Sequence, residues 1–164
     1  MVKLLVQIGM EREGVTDIVP EDGYEFFFNV TCTSCREEHP KAISFNQTEV
    51  HELSGSRGSA NFVWRCGNCK REQSCSFAPP VAKSIAPLPY SAENGQLAPF
   101  VALDCRGLEV TKFHFRGTWK AVGEESGAKF EVDLDEGEDR WDDYDEGAGV
   151  PVSISEFRSE VRRA

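Results

Sequence analysis

The chain has 164 residues, of which 28 are acidic and 18 are basic, and its formal net charge at pH 7 is −10. This length suits one domain, or two small halves that share a core. The negative charge argues against nucleic acid or an anionic membrane as the main partner, because both attract clustered lysine and arginine. The sequence shows neither an export signal nor the ~20-residue apolar run of a membrane helix. We therefore expect a cytoplasmic protein, with the nucleus as the other option.

Strands are predicted along most of the chain. Apolar and polar residues alternate over residues 2–10, which predicts a half-buried strand. Pro20 and Asp22 predict a turn or a short edge segment over residues 15–22, and residues 54–59 predict a flexible loop. The pattern favours an all-β fold of antiparallel strands in a sandwich-like or barrel-like arrangement. Further strands are predicted at residues 24–31, 42–45, 61–65, 73–77, 100–105, 110–115, 129–134 and 150–157, the last with the option of a short helix through Val161.

The chain also divides into two halves that resemble each other. Residues 28–32 (FNVTC) resemble residues 101–105 (VALDC), and further β-like sequence follows both. The connection between about residues 80 and 98 is rich in proline and is interpreted as a surface linker. We expect one domain built from two related β units, about residues 1–80 and 98–164, with a metal site only in the first.

Two cysteine pairs carry the strongest signal in the sequence. Cys32 and Cys35 form one Cys-x-x-Cys pair, Cys66 and Cys69 form a second, and 30 residues separate the pairs. Each spacing predicts a tight turn that directs two sulfurs to one point, and two such turns supply a tetrahedral Zn²⁺ site. Gly67-Asn68 suits such a turn, because Gly and Asn tolerate positive φ. Without an export signal we expect a reducing compartment, which favours metal over disulfides.

Alternatives to a tetrathiolate site are two disulfides, four unrelated thiols or a redox-active Cys-x-x-Cys pair. Four thiolates leave no open coordination position, and catalytic zinc normally keeps one. We therefore predict one structural zinc ion per chain.

The segment 131–146 is strongly acidic and carries aromatic residues among its carboxylates. One interpretation is a solvated loop whose Trp141 and Tyr144 pack onto the core. The other is a docking patch for a basic protein partner, formed by Trp141, Asp143, Tyr144 and Asp145. Aromatic residues at such spacing are unlike a disordered acidic tail.

No nucleophile–base signature or phosphate-binding loop is evident, and the three histidines are interpreted as surface or loop residues. This favours a monomeric, non-enzymatic zinc protein that acts as an adaptor or metal-handling factor and binds a protein partner. The alternative is a thiol-dependent oxidoreductase that uses Cys105 or Cys75. Arg106 follows Cys105, and its charge would lower a thiol pKa.

Several motifs in combination extend over nearly the whole chain. In order they are the first cysteine pair, Arg57-Gly58-Ser59-Ala60, the second cysteine pair, Cys105-Arg106-Gly107-Leu108-Glu109, Glu125-Ser126-Gly127 and Trp141-x-Asp143-Tyr144-Asp145. With them the chain resembles the eukaryotic CXXC-motif-containing zinc-binding protein family. The resemblance implies an all-β protein of two related β units and a zinc ion held by Cys32, Cys35, Cys66 and Cys69. It implies no established reaction.

Overall fold

The computed structural model of the protein describes residues 2–54, 58–81, 83–134 and 139–164. Within these ranges the chain forms β-strands and no α-helix, and none of its segments is a helix long and apolar enough to cross a membrane. The strands are β1 (Val2–Glu13), β2 (Val15–Pro20), β3 (Phe26–Cys32), β4 (Ile43–Phe45), β5 (His51–Glu52), β6 (Ser59–Ala60), β7 (Phe62–Arg65), β8 (Glu72–Ala78), β9 (Ala98–Arg106), β10 (Leu108–His114), β11 (Gly117–Gly123), β12 (Lys129–Leu134), β13 (Arg140–Asp145) and β14 (Val150–Arg163).

A six-stranded sheet of order β13-β14-β1-β9-β8-β7 is the largest element of the fold. Strand β1 lies inside this sheet, and it pairs antiparallel with β14 on one side and with β9 on the other. Two three-stranded sheets, β10-β3-β4 and β12-β11-β2, and the short pair β5-β6 complete the described fold. The predicted fold class, all-β with antiparallel strands, is therefore confirmed.

The core between these sheets is rich in aromatic rings. Phe26 on β3 lies 5.9 Å from Phe100 on β9, and Phe28 lies 5.5 Å from Phe113 on β10, measured between ring centroids. Phe100 also stacks on Trp119 of β11 at 5.5 Å. Each of these rings is almost fully buried. Both halves of the sequence thus contribute to one core, and their descent from a repeat stays a prediction.

The strand predictions differ from the structure mainly outside the large apolar runs. Residues 15–20 form strand β2, which pairs with β11. The sequence prediction had no strand at the position of β11. The short helix through Val161 is wrong, because β14 continues to Arg163 and pairs with β1 as far as Leu4. Half-buried and exposed side chains alternate from Phe157 to Val161, which is the period of a strand. Residues 55–57 of the predicted loop lie outside the described residues.

The acidic segment is also more ordered than a solvated loop, although residues 135–138 lie outside the described ranges. Strand β13 pairs with β14 along its whole length, from Arg140 opposite Ser155 to Asp145 opposite Val150. The loop interpretation is therefore wrong for residues 140–145. On an outer strand the backbone of β13 is hydrogen-bonded to β14, while its exposed carboxylates stay in water, because one face of such a sheet is solvated.

Side chains of this strand have different environments. Trp141 is half-buried and meets the ring of Phe130 edge-on, with 5.8 Å between ring centroids. Tyr144 is 51 % exposed, whereas Asp145 is 1 % exposed and accepts a hydrogen bond from Ser126 Oγ at 2.6 Å. Only part of the strand is thus available to a partner.

Replacing Trp141 by alanine is expected to lower the free energy of unfolding by about 1–3 kcal/mol, below the range for a fully buried ring, because Trp141 is half-buried. The control Tyr144→Ala removes an exposed ring and should change it by no more than about 0.5 kcal/mol. Denaturant melts of the two variants and the wild type measure both differences. Equal stability of Trp141→Ala and the wild type would show that the ring does not stabilise the fold.

Candidate metal centre

Four cysteines converge at the ends of strands. Cys32 is the last residue of β3, and Cys66 directly follows β7. Their partners Cys35 and Cys69 lie in the turns that follow. The four sulfur atoms all lie within 4.8 Å of one another. Two of these distances join opposite turns, with 3.6 Å between the sulfurs of Cys32 and Cys69 and 3.7 Å between those of Cys35 and Cys66.

The two turns have the same backbone hydrogen bonds. In the first, the Cys32 N–H donates to the carbonyl oxygen of Glu37, and the Arg36 N–H donates to that of Cys32, both at 2.9 Å. The second turn repeats this pattern from Cys66, with distances of 3.0 and 2.9 Å. Each turn is therefore a fixed backbone loop that directs its two sulfurs to the same side.

Positive φ occurs at different residues from those that the sequence suggested. The left-handed positions are Arg36 (φ 64°) and Lys70 (φ 63°), each directly after the second cysteine of its pair, and Gly67 and Asn68 are not among them. Lys70 Nζ donates to the Gly67 carbonyl at 2.7 Å, and Arg65 Nη1 donates to the Lys70 carbonyl at 2.7 Å. These basic side chains thus stabilise the turn itself, in addition to lying near the thiols.

Hydrogen bonds from the backbone favour ionisation of two of the thiols. Burial raises the pKa of Cys32, but the N–H groups of Cys35 and Ser34 outweigh burial and lower that pKa to about 6. The pKa of Cys66 is lowered in the same way, chiefly by the backbone N–H of Cys69. In each turn the backbone therefore favours the thiolate form of the first cysteine.

The fourth thiol behaves differently. The backbone N–H of Arg71 lowers the pKa of Cys69, but burial and the hydrogen bonds with the neighbouring thiols raise it to about 11. Because thiolates this close repel one another, four of them need a cation between them. A tetrahedral Zn²⁺ ion with Zn–S bonds of ~2.3 Å has sulfur–sulfur edges of about 3.8 Å. The distances of 3.6 and 3.7 Å fit such an ion.

Gln73 is a site residue that sequence reasoning missed. It lies on β8, it is 1 % exposed, and its Nε2 donates to the sulfur of Cys32 at 2.7 Å. Its Oε1 is buried without a hydrogen-bond partner among the described residues. Such a donor stabilises the negative charge of a thiolate ligand. No motif in the sequence marks Gln73, because its role depends on a side-chain contact between two sheets, from β8 in the large sheet to the end of β3.

The turn between β9 and β10 supports the first cysteine pair. Gly107 has φ 79°, and its carbonyl oxygen accepts a hydrogen bond from the Thr33 N–H at 2.9 Å. A Cβ at residue 107 would lie 3.0 Å from Cγ of Gln73. Glycine is thus favoured here by its positive φ and by the close approach of the Gln73 side chain, which explains part of the Cys105–Glu109 motif.

The remaining cysteines form a second pair away from the cluster. Cys75 on β8 and Cys105 on β9 are directly opposite each other, and their sulfurs lie 3.4 Å apart. Both are 1 % exposed. The hydrogen bond with Cys105, together with burial, raises the pKa of Cys75 well above its usual value. The predicted docking residues lie elsewhere, on β13, at the opposite edge of the large sheet from β7 and the cluster.

Comparison with known proteins identifies a family and relatives that this chain resembles. The family model described as CXXC motif containing zinc binding protein, eukaryotic, matches residues 5–162. The UPF0587 protein C2D10.03c of Schizosaccharomyces pombe is 36 % identical over 167 residues, covering 100 % of both chains. The CXXC motif containing zinc binding protein of Homo sapiens is 33 % identical over 158 residues, covering 95 % of both chains.

Solved structures share the same fold. The structure titled "Crystal Structure of C1orf123" superposes with a TM-score of 0.85 at 31 % identity and covers 99 % of both chains. A hypothetical protein from Plasmodium falciparum has a TM-score of 0.82 at 24 % identity, and it covers 99 % of this chain and 100 % of its own. Together with the cysteine cluster, these matches show that the chain belongs to the eukaryotic family of CXXC motif containing zinc-binding proteins.

Proposed function

We propose that the protein is a non-enzymatic adaptor or metal-handling factor in which one structural zinc ion orders the cysteine turns and the surface binds a protein partner. The observation that carries the zinc part is the convergence of four sulfurs within 4.8 Å on two matching backbone turns. All four positions of a tetrahedral ion are then filled by protein, and none is left for a substrate.

The partner surface that we propose is the exposed part of β13. Asp143 and Tyr144 are both exposed on this outer strand of the large sheet. An exposed tyrosine between carboxylates suits a basic partner, because tyrosine is enriched at interfaces and charges of opposite sign attract. Asp145 supports the following turn from inside, where its Oδ1 accepts a hydrogen bond from the Ala148 N–H at 3.2 Å.

The proposal extends to the setting in which the protein works. We infer a monomer in the cytosol, or in the nucleus, that binds protein rather than nucleic acid or membrane. The net charge of −10 supports this choice of partner, and four reduced thiols able to bind metal favour a reducing compartment.

Protein purified without added metal is expected to contain about one zinc per chain with sulfur-only coordination, and Cys66→Ser should lose most of it. The matched control is Cys75→Ser, which makes the same substitution outside the cluster and should keep its zinc. Elemental analysis gives the stoichiometry, and X-ray absorption identifies the ligand atoms. A nitrogen or oxygen ligand in the wild type would contradict the proposed ligand set.

Zinc removal should act locally. Hydrogen exchange is expected to rise first at the two cysteine turns, and the inner strand β1 should keep its protection, because β1 pairs on both sides without any ligand. Simultaneous loss of protection in both regions would show that the ion supports the whole core instead. Unchanged exchange at the turns would contradict a structural ion.

Gln73→Leu is expected to weaken zinc binding by roughly 10–100-fold, because it removes the hydrogen bond to the Cys32 sulfur. Gln73→Glu should weaken it further, since a carboxylate would face a thiolate. Competition with a chromophoric chelator measures the change. Ser74→Ala is the matched control, because Ser74 is a buried neighbour on β8 without a bond to the cluster in the described hydrogen bonds. Equal affinity of Gln73→Leu and the wild type would show that Gln73 does not tune the site.

A thiol-dependent oxidoreductase is the second candidate, and the 3.4 Å approach of Cys75 and Cys105 favours it. Two facing thiols could donate two electrons and two protons to a sulfoxide or disulfide and become a disulfide themselves. Their burial works against this reaction, because the substrate must reach a sulfur atom and the attacking species is the thiolate.

Iodoacetamide at neutral pH should leave Cys75 and Cys105 unmodified in the folded protein and alkylate both after denaturation, because both thiols are buried and the pKa of Cys75 is raised. Mass spectrometry of the peptides identifies the modified residues. Reduction of methionine sulfoxide by the wild type, lost in Cys105→Ser, would instead establish the oxidoreductase.

A further inference from the structure

Cys75 and Cys105 belong to a row of side chains that crosses the large sheet. Phe62 on β7 lies directly opposite Cys75, and Cys75 lies opposite Cys105. Beyond them Cys105 lies opposite Val2 of β1. Directly opposite residues of antiparallel strands place their side chains on the same face, with Cβ atoms about 4.5–5.5 Å apart. The buried thiol pair is therefore covered from the near edge of the sheet by Phe62, which is half-buried.

This row has the geometry of a cross-strand disulfide. The sulfurs of Cys75 and Cys105 lie 3.4 Å apart, and both cysteines are free thiols. Directly opposite residues of an antiparallel pair have Cα atoms about 4.5 or 5.5 Å apart, and disulfides span Cα separations of about 4.4–6.8 Å. A disulfide between these cysteines can therefore form without changing the register of β8 and β9.

The strand that covers the pair is short and lies at the edge. Strand β7 has four residues and is the outermost strand of the large sheet, where its neighbour in the described part of the chain is β8. Short outer strands have few ladder hydrogen bonds and belong to the parts of a fold that open most readily. Opening of β7 removes Phe62 from Cys75 and lets water reach the thiol pair.

Contacts at both ends stabilise β7 in its place. At its start the ring of Phe62 stacks on that of Phe45 on β4, with 5.3 Å between ring centroids. At its end β7 is directly followed by Cys66, which is one of the four converging cysteines. A metal ion bound by these cysteines joins the end of β7 to the end of β3. Loss of the ion removes that connection and leaves β7 with its ring contacts and its pairing with β8.

The closed sheet keeps the pair unreactive. The hydrogen bond with Cys105, together with burial, raises the pKa of Cys75 well above its usual value. Because the thiolate is the species that reacts, the buried pair reacts slowly. Opening of β7 removes the contribution of burial to that pKa, and it admits an oxidant as small as a hydroperoxide.

We propose that Cys75 and Cys105 form a redox site beneath β7, and that a hydroperoxide oxidises the pair to a disulfide when zinc loss lets β7 open. The thiolate of one cysteine attacks the peroxide, the O–O bond breaks, and a sulfenic acid and hydroxide form. The second thiol attacks the oxidised sulfur, an S–S bond replaces the S–O bond, and water leaves. The two sulfurs lose two electrons in total, and hydrogen peroxide becomes two water molecules.

This inference rests on the structural zinc ion of the proposed function. It differs from the oxidoreductase candidate, because the disulfide is the end product and no further substrate is reduced. The bond would join β8, in the first half of the chain, to β9, in the second half. The centre of the large sheet would thus stay connected while the metal is absent.

Peptide mapping by mass spectrometry during treatment with hydrogen peroxide measures how fast the disulfide between Cys75 and Cys105 forms. Chelated full-length protein should form it roughly tenfold faster than zinc-loaded protein, or more, because opening of β7 limits the reaction. Phe62→Ala should raise the rate with zinc still bound, since it removes the ring contact with Phe45. The matched control is Trp141→Ala, which truncates a half-buried ring on β13 at the opposite edge of the sheet and should react as the wild type does.

Other results would overturn the proposal. These are no disulfide between Cys75 and Cys105 in either state, equal rates with and without zinc, or equal rates in Phe62→Ala and Trp141→Ala. Equal rates in a protein that holds one zinc ion on four sulfurs would overturn this inference and leave the structural ion standing. Absence of zinc from the purified protein would instead overturn the proposed function and the role of the ion here. Thermal melts confirm that each variant is folded, and Phe62→Leu replaces Phe62→Ala if the latter is not.

Discussion

The pairing of β1 with both β14 and β9 is the constraint on which the rest of the fold depends. It joins the first residues of the chain to the last, since Leu4 lies opposite Arg163 and the Ala164 N–H donates to the Lys3 carbonyl oxygen at 2.9 Å. The side chains of Val6 and Ile8, which this pairing carries into the core, have no exposed surface. Contacts between residues so distant in sequence form slowly. The pairing of β1 with β14 also needs the last strand, so it forms only after β14 is present.

In the function that we propose, the zinc ion stabilises the part of the chain that this sheet supports least. Between the two cysteine pairs the described strands β4, β5 and β6 have only two or three residues each. Strands that short bury little surface and have few ladder hydrogen bonds. An ion that joins the end of β3 to the end of β7 fixes the two ends of this region. The large core shows that the fold of this chain does not consist of the metal site alone.

Sequence reasoning succeeded where a pattern is local. Alternation over residues 2–10 predicted most of β1, the bounds of β12 agree with the prediction, and the Cys-x-x-Cys spacing identified the four cysteines that converge. It failed where pairing decides. The charged residues of β13 do not suggest a strand, and they form one because β14 lies beside them. Gln73 and the facing pair Cys75 and Cys105 were hidden for the same reason, since only the return of β8 between β7 and β9 gives them neighbours.

The hydrogen bond between the Thr33 N–H and the Gly107 carbonyl oxygen has a thermodynamic consequence. It connects the first cysteine turn to the turn between β9 and β10, which lies 74 residues further along the chain. If metal binding favours the formation of this bond, linkage requires that formation of the bond favours metal binding by the same coupling free energy. A distortion of the β9–β10 turn that breaks this hydrogen bond is therefore expected to lower metal affinity, although Gly107 is not itself a ligand.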